Sequence, residues 1–86
     1  MLFRSVRIYT TQICGYCIAA KRFMDHHNIT FEEIDVSADD EMRRWLVERT
    51  GQRTVPQIFI GERSIGGYTD LRALDARGEL APLLNG

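Results

Sequence analysis

A chain of 86 residues holds one domain and leaves no room for a second, so residues 1–86 read as a single folding unit. Its 44% apolar and 27% charged residues are those of a folded globular protein and exclude a disordered one. Eleven basic against twelve acidic residues leave a net charge of −1, with no basic excess to attract nucleic acid, and no apolar run approaches the ~20 residues of a membrane span.

The first ten residues carry Arg4 and Arg7 but lack the apolar stretch of a secretion signal, so the expected location is the cytoplasm. Val6 to Thr10 is expected as a strand, with Val6 and Ile8 on one face and Arg7 and Tyr9 on the other. Thr11 to Ile13 is a short loop. From about Tyr16 to His27 the apolar positions move to helical spacing through Cys17, Ala20, Phe23 or Met24, and His27, with Asn28 as the stop. Thr30 to Val36 is a second strand. Ser37 to Asp40 supplies capping residues and early negative charge for a helix whose stripe is Met42, Trp45, Leu46 and Arg49. Gly51 stands where a left-handed C-cap belongs.

Val55 to Ile60 is the most strand-like run. Gly61–Glu62 turns it into a short return strand, Arg63 to Ile65, which Gly66–Gly67 breaks. Thr69 is the expected cap of a last helix, with Asp70 in its first turn, Leu71 and Leu74 on its buried face and Gly78 at its end. A final turn at Pro82 tucks Leu80, Leu83 and Leu84 inward. Trp45 reads as core, and His26 and His27 as surface. The order βαβαββα predicts an α/β protein with a mixed four-stranded sheet and helices on both faces, the thioredoxin fold.

The two cysteines, Cys14 and Cys17, are only three positions apart. A bridge between them closes a tiny loop and constrains the unfolded chain little, so a structural staple would be badly placed. A redox pair would not. The pair falls where the first strand gives way to the first helix. There, free backbone N–H groups and the positive end of the helix dipole point at the Cys14 sulfur. Such sites lower a cysteine pKa from ~8.5 into roughly the 3.5–7.5 range, and the thiolate is the form that attacks a disulfide. Cys14 is thus the expected nucleophile and Cys17, one turn further in, the resolving thiol. Zinc is the competing use of this spacing, but it needs two more ligands, and the adjacent His26 and His27 lack the gap that zinc fingers use. Two inert buried cysteines are the other alternative.

Four segments in register resemble the glutaredoxins. They are Ile8-Tyr9-Thr10, Cys14-Gly15-Tyr16-Cys17, Thr54-Val55-Pro56-Gln57-Ile58-Phe59-Ile60 and Gly66-Gly67-Tyr68-Thr69-Asp70-Leu71. The tail, Ala73-Leu74-Asp75-Ala76-Arg77-Gly78 with Pro82-Leu83-Leu84, is similar to that of the small bacterial members. The resemblance implies reduction of protein–glutathione mixed disulfides and small disulfides, with glutathione as the reductant bound in a groove beside Cys14. It implies a cis peptide before Pro56, which frees the N–H and C=O of Val55 to pair with the tripeptide like an added strand. It places Gly67 at a close backbone approach and Thr69 and Asp70 at the γ-glutamyl end. It also places Gln52 at the glycine carboxylate and Tyr16 along the groove wall, with the motif residues Thr54 and Tyr68 beside them.

Each residue also has a plainer reading. Pro56 opens a strand in trans, Gly66–Gly67 is an ordinary turn, and Asp70 is a favourable first-turn charge. Gln52 is an exposed loop residue and Tyr16 a surface aromatic. The chain departs from the family in having Thr11 where relatives carry lysine, with Arg53 as the nearest substitute, and Gly15 where they commonly have proline. The expected partners are glutathione and glutathionylated or disulfide-containing proteins, met by a monomer. Two other functions compete. One is a dimer that holds a [2Fe–2S] cluster through Cys14 and glutathione thiols. The other is a thioredoxin-like reductase fed by a flavoprotein.

Overall fold

The computed structural model describes residues 4–85; Met1–Phe3, part of the stretch read for a secretion signal, and Gly86 lie outside the described residues. In chain order the elements are β1 (Val6–Thr10), α1 (Gly15–His26), β2 (Glu32–Asp35), α2 (Asp40–Thr50), β3 (Gln57–Ile60), β4 (Arg63–Gly66), α3 (Tyr68–Ala76) and α4 (Leu80–Leu84). The strands form one sheet in the order β2-β1-β3-β4. β1 runs parallel to β2 and antiparallel to β3, and β3 to β4 is a hairpin with a register shift between Ile58 and Phe59. This is the expected mixed four-stranded sheet.

The alternation of β1 decides what lies on each side. Val6 and Ile8, with Ile58 and Ile60 of β3, face one layer of Ala20 and Met24 from α1, Leu71 and Leu74 from α3, and Leu80 from α4. Tyr9 and Phe59 face the other layer, where Val36 and Leu46 of α2 close over them. Helices therefore cover both faces. Of Phe23 and Met24, it is Met24 that is fully buried, with Cys17 and Ala20 on the same helix. Burying a side chain of that size contributes about 1.5–3 kcal/mol.

Several elements differ from the sequence expectation. The C-terminal turn is a short helix, α4, in which Leu80 is buried and Leu83 and Leu84 only partly so. His27 is not on the buried stripe of α1; it caps that helix and is exposed, stacked on Phe23. Asn28 does stop the helix, with φ of 58°. Trp45 is not core. It is 38% exposed and lies at the rim of the second cluster, 5.9 Å from Phe59 and 5.8 Å from Tyr9 between ring centroids. The cap of α3 is Gly67 and not Thr69, because the helix already begins at Tyr68. The α2 cap is Asp39, whose carboxylate accepts from the Met42 N–H, and Gly51 takes the left-handed conformation at its end.

The edge strand β2 presents Glu32, Glu33 and Asp35 to solvent, charge that discourages pairing with a further strand. Glu33 also reaches inward. One carboxylate oxygen accepts from Lys21 Nζ at 2.9 Å and from the buried Thr10 hydroxyl at 2.8 Å. The Lys21 hydrogen bond is the main reason its carboxyl titrates below the ordinary 4.5. A lowered folded pKa favours the native state above the unfolded value, and the gain disappears as pH falls through the folded one. Glu33→Gln should therefore be less stable than wild type at pH 7, by no more than about 1 kcal/mol because both ends are solvated. The gap should close below pH 4.5. Urea denaturation at several pH values checks this; a gap that persists in acid would rule out the ionic origin.

Candidate active site

The first wall of the site is the start of α1. Cys14 is its N-cap, in extended conformation with φ of −155°. With Cys14 at the cap, the N–H of Cys17 has no helical carbonyl to bond, and it donates to Cys14 Sγ at 3.0 Å. Cys17 is 1% exposed, beneath a half-buried Cys14, and the two are joined as a disulfide with Cα atoms 5.2 Å apart. No acidic residue occupies the first turn of α1, so nothing there opposes a negative sulfur. Ile13, immediately before the cap, is 98% exposed.

The loop that carries Ile13 is tied from below. The Gln12 N–H donates to the Ser37 hydroxyl at 2.8 Å, and the Ser37 N–H donates to Asp35 at 2.8 Å. Hydrogen bonding from the Ser37 side chain, and then from its backbone N–H, holds the Asp35 carboxyl below its ordinary value. The Val36 N–H completes the tie on the Thr10 carbonyl.

The second wall is the segment before β3. The Val55–Pro56 peptide is cis, as the resemblance implied. The Val55 carbonyl oxygen lies 3.7 Å from Cys14 Sγ. Among the described residues, no strand pairing or loop hydrogen bond uses the backbone N–H or C=O of Val55. Both groups are left for an extended partner.

The third wall is the start of α3. A Cβ at Gly67 would stand 3.4 Å from the Pro56 carbonyl oxygen, so these two backbones pass closely. Gly66 has φ of 99°, and a side chain there would overlap the Asp70 carboxylate. Asp70 reaches back to accept from the Gly67 N–H at 2.9 Å, half of a capping box. Tyr68 stacks on Tyr16 at 6.2 Å, joining the third wall to the first, and Arg72 lies over the far ring at 5.7 Å. Thr69 and Asp70 are exposed in the first turn, beside unpaired backbone N–H groups.

Gln52, Arg53 and Thr54 lie on the loop from α2 into the second wall. With Val55, Arg43 and Arg44, and with Asp40 and Glu48 of opposite charge, they line a cavity of about 340 Å³. Sequence reasoning singled out Arg53 alone as a substitute for the missing lysine; the cavity adds Arg43 and Arg44, which are simply exposed residues of α2 in one dimension. Thr11 is half-buried. Two further residues were missed. Ser37 carried no signal except its place at a turn. Gln57 carried one, a lone amide in an otherwise apolar strand, and it is 1% exposed. The structure thus brings Cys14 beside Cys17 and Val55, Pro56 and Asp70 beside Gly67, and Tyr16 beside Tyr68, from three separate stretches of chain.

Chemically, the arrangement suits thiol–disulfide exchange. A reachable sulfur faces a backbone donor that stabilises a thiolate, and a second sulfur waits within bonding reach. Among the described residues no group of three or more His, Cys, Asp or Glu gathers to hold a metal, and no helix is long and apolar enough to cross a membrane.

Comparison with known proteins agrees with this geometry. The glutaredoxin family model matches residues 6–65. Glutaredoxin 3 of Escherichia coli K12 is 45% identical over 80 residues, covering 93% of this chain and 96% of that protein. A glutaredoxin of Pseudomonas aeruginosa is 45% identical over 80 residues, covering 93% of this chain and 95% of its own. Among solved structures, a glutaredoxin from Brucella melitensis superposes with a TM-score of 0.87 at 44% identity, covering 98% of this chain and 91% of that one. A buckwheat glutaredoxin–glutathione complex superposes with a TM-score of 0.88 at 29% identity, over 95% of this chain and 77% of that one.

Proposed function

The chain belongs to the glutaredoxin family of thiol–disulfide oxidoreductases, and from that premise we propose that it uses glutathione to reduce protein–glutathione mixed disulfides and small disulfides, working as a monomer. The observation that carries the reading is the set of partners around Cys14. Its sulfur faces the Cys17 N–H at 3.0 Å on one side and the unpaired backbone of Val55 at 3.7 Å on the other. The first activates a thiolate. The second offers a peptide-shaped ligand a place to lie across it.

In this reading the Cys14 thiolate attacks the glutathione sulfur of the mixed disulfide. The protein thiolate leaves and takes up a proton, and Cys14 holds the glutathionyl group. A second glutathione thiolate then attacks that adduct, releasing glutathione disulfide and restoring Cys14. The net exchange consumes one free glutathione per mixed disulfide: its sulfur is oxidised and the protein sulfur reduced, while the substrate's glutathionyl sulfur stays at the disulfide level. In the other branch Cys17 attacks Cys14 Sγ, expels glutathione and leaves the Cys14–Cys17 disulfide present in the structure. Val55 pairs with the cysteinyl backbone of glutathione, with Pro56 and Thr54 shaping that edge. Thr69 and Asp70 take the γ-glutamyl carboxylate and ammonium, Gln52 the glycine carboxylate, and Tyr16, Gly67 and Tyr68 the floor and wall. A buckwheat protein of the same fold is described as a glutaredoxin–glutathione complex, which supports a glutathione site on this fold.

One chain does not furnish the four ligands of a [2Fe–2S] cluster. Cys17 is buried, which leaves one outward thiol. A cluster would need a second chain and two glutathione thiols, and no observation here favours that arrangement.

The test is a coupled assay on a glutathionylated protein. With glutathione and glutathione reductase, NADPH should be consumed; with thioredoxin reductase and no glutathione, it should not. Equal turnover from thioredoxin reductase alone would overturn the glutathione reading.

A further inference from the structure

Gln57 opens β3, paired with Tyr9 of β1, and is followed by three buried apolar residues. It is 1% exposed. Its Nε2 donates to the Thr54 carbonyl at 2.9 Å and lies 3.2 Å from Gln52 Oε1 and 3.4 Å from Thr54 Oγ1. Three acceptors thus share two amide protons, and all three belong to the stretch that leads into Val55. The other end of the amide, Oε1, is buried with no partner among the described residues.

An unpaired buried acceptor disfavours folding, and an apolar side chain of the same length would not carry it. Nor does turning the amide over help, because Oε1 would then face the Thr54 carbonyl and Gln52 Oε1, acceptor against acceptor. The amide is oriented for what it holds. It has a second effect on Gln52. With Oε1 of Gln52 taken by Gln57, the Gln52 amide keeps its N–H groups for the outside. That is the polarity needed to meet a carboxylate.

We propose that Gln57 is a positioning residue for glutathione. It braces residues 52–54 from within, so that the Val55 backbone stands ready beside Cys14 and the N–H end of Gln52 faces outward. This rests on the glutathione reading above, since Gln57 touches neither the thiols nor the ligand.

The test compares wild type, Gln57→Met and Asp70→Asn, the last altering the ammonium contact assigned above. For Gln57→Met the KM for glutathione should rise about 5-fold, the effect of one or two lost hydrogen bonds. Its kcat at saturating glutathione, the alkylation rate of Cys14 and the melting temperature should stay near wild type, because the methionine removes an orphaned oxygen as well as the donors. Gln57→Leu also removes the N–H donors without burying a charge, and should raise KM in the same way should the methionine variant fold poorly. If KM rises for Asp70→Asn but not for the Gln57 variants, Gln57 merely fills the core and the inference is wrong while the glutathione reading stands. If KM is unchanged in all of them, the inference is wrong and Asp70 is not in the groove either, and the coupled assay alone decides the glutathione reading. If kcat, alkylation rate and melting temperature fall as KM rises, the role is structural and the inference is overturned.

Discussion

Cys14→Ser should lose turnover of a glutathionylated substrate by on the order of 10³-fold or more, the scale on which removal of a nucleophile acts. Cys17→Ser should keep turnover within the same order of magnitude as wild type. The asymmetry follows from which atoms each change removes. A serine hydroxyl at position 14 is not ionised near neutrality, so no attacking anion forms. At position 17 the group that activates Cys14 is the backbone N–H, 3.0 Å from its sulfur, and that donor survives the substitution. External glutathione then resolves the adduct. The cost of Cys17→Ser lies elsewhere, since a hydroxyl in a site 1% exposed loses about 1–3 kcal/mol if it finds no partner. A thermal melt beside the coupled assay separates the two effects, and mass spectrometry should find the glutathionyl group on Cys14. Equal loss of activity in two folded variants would mean an obligatory dithiol route and favour a thioredoxin-like reductant.

Asp70→Ala should weaken apparent glutathione affinity by about 10-fold or more, the value of a lost charged hydrogen bond. Alanine confounds two roles, because one Asp70 oxygen already accepts from the Gly67 N–H. Losing that half of the cap should itself destabilise α3 by about 1 kcal/mol. Asp70→Asn is the discriminating variant. Its amide oxygen can keep the Gly67 bond while the charge for the ammonium is gone. Stability should recover in the asparagine variant, and the KM defect should remain. An unchanged KM in both would remove Asp70 from the groove.

Much of this was legible in one dimension because the informative contacts are local or periodic. The alternation of Val6, Ile8 and Tyr9 sorted the two faces of the sheet correctly, and the four-residue active-site run lies within one helical turn. What escaped detection depends on packing between distant segments. Trp45 shares a helical stripe with Leu46, yet α2 is rotated so that Leu46 enters the cluster and Trp45 lies at the rim. Thr69 is a better capping residue than Gly67 by type. The helix nevertheless starts at Tyr68, with Gly67 as the cap passing close to the Pro56 carbonyl. The Gln12–Ser37 tie spans 25 residues and the arginine-lined cavity unites two elements, and neither leaves a periodic trace.

The two halves of the site differ in how far along the chain they reach. Cys14 and Cys17 are three residues apart, so their pairing is a property of one helical turn. Cys14 and Val55 are 41 residues apart, and they meet only because β3 runs antiparallel to β1, which puts its start at the end where β1 stops. Bringing such distant residues together must await closure of the intervening loop. A nascent or partly unfolded chain therefore already has a dithiol able to exchange with any disulfide, but not yet the platform that chooses among them. On the proposed reading, preference for glutathione is a property of the completed sheet, and the ratio of selective to indiscriminate exchange would report how much of the population is folded.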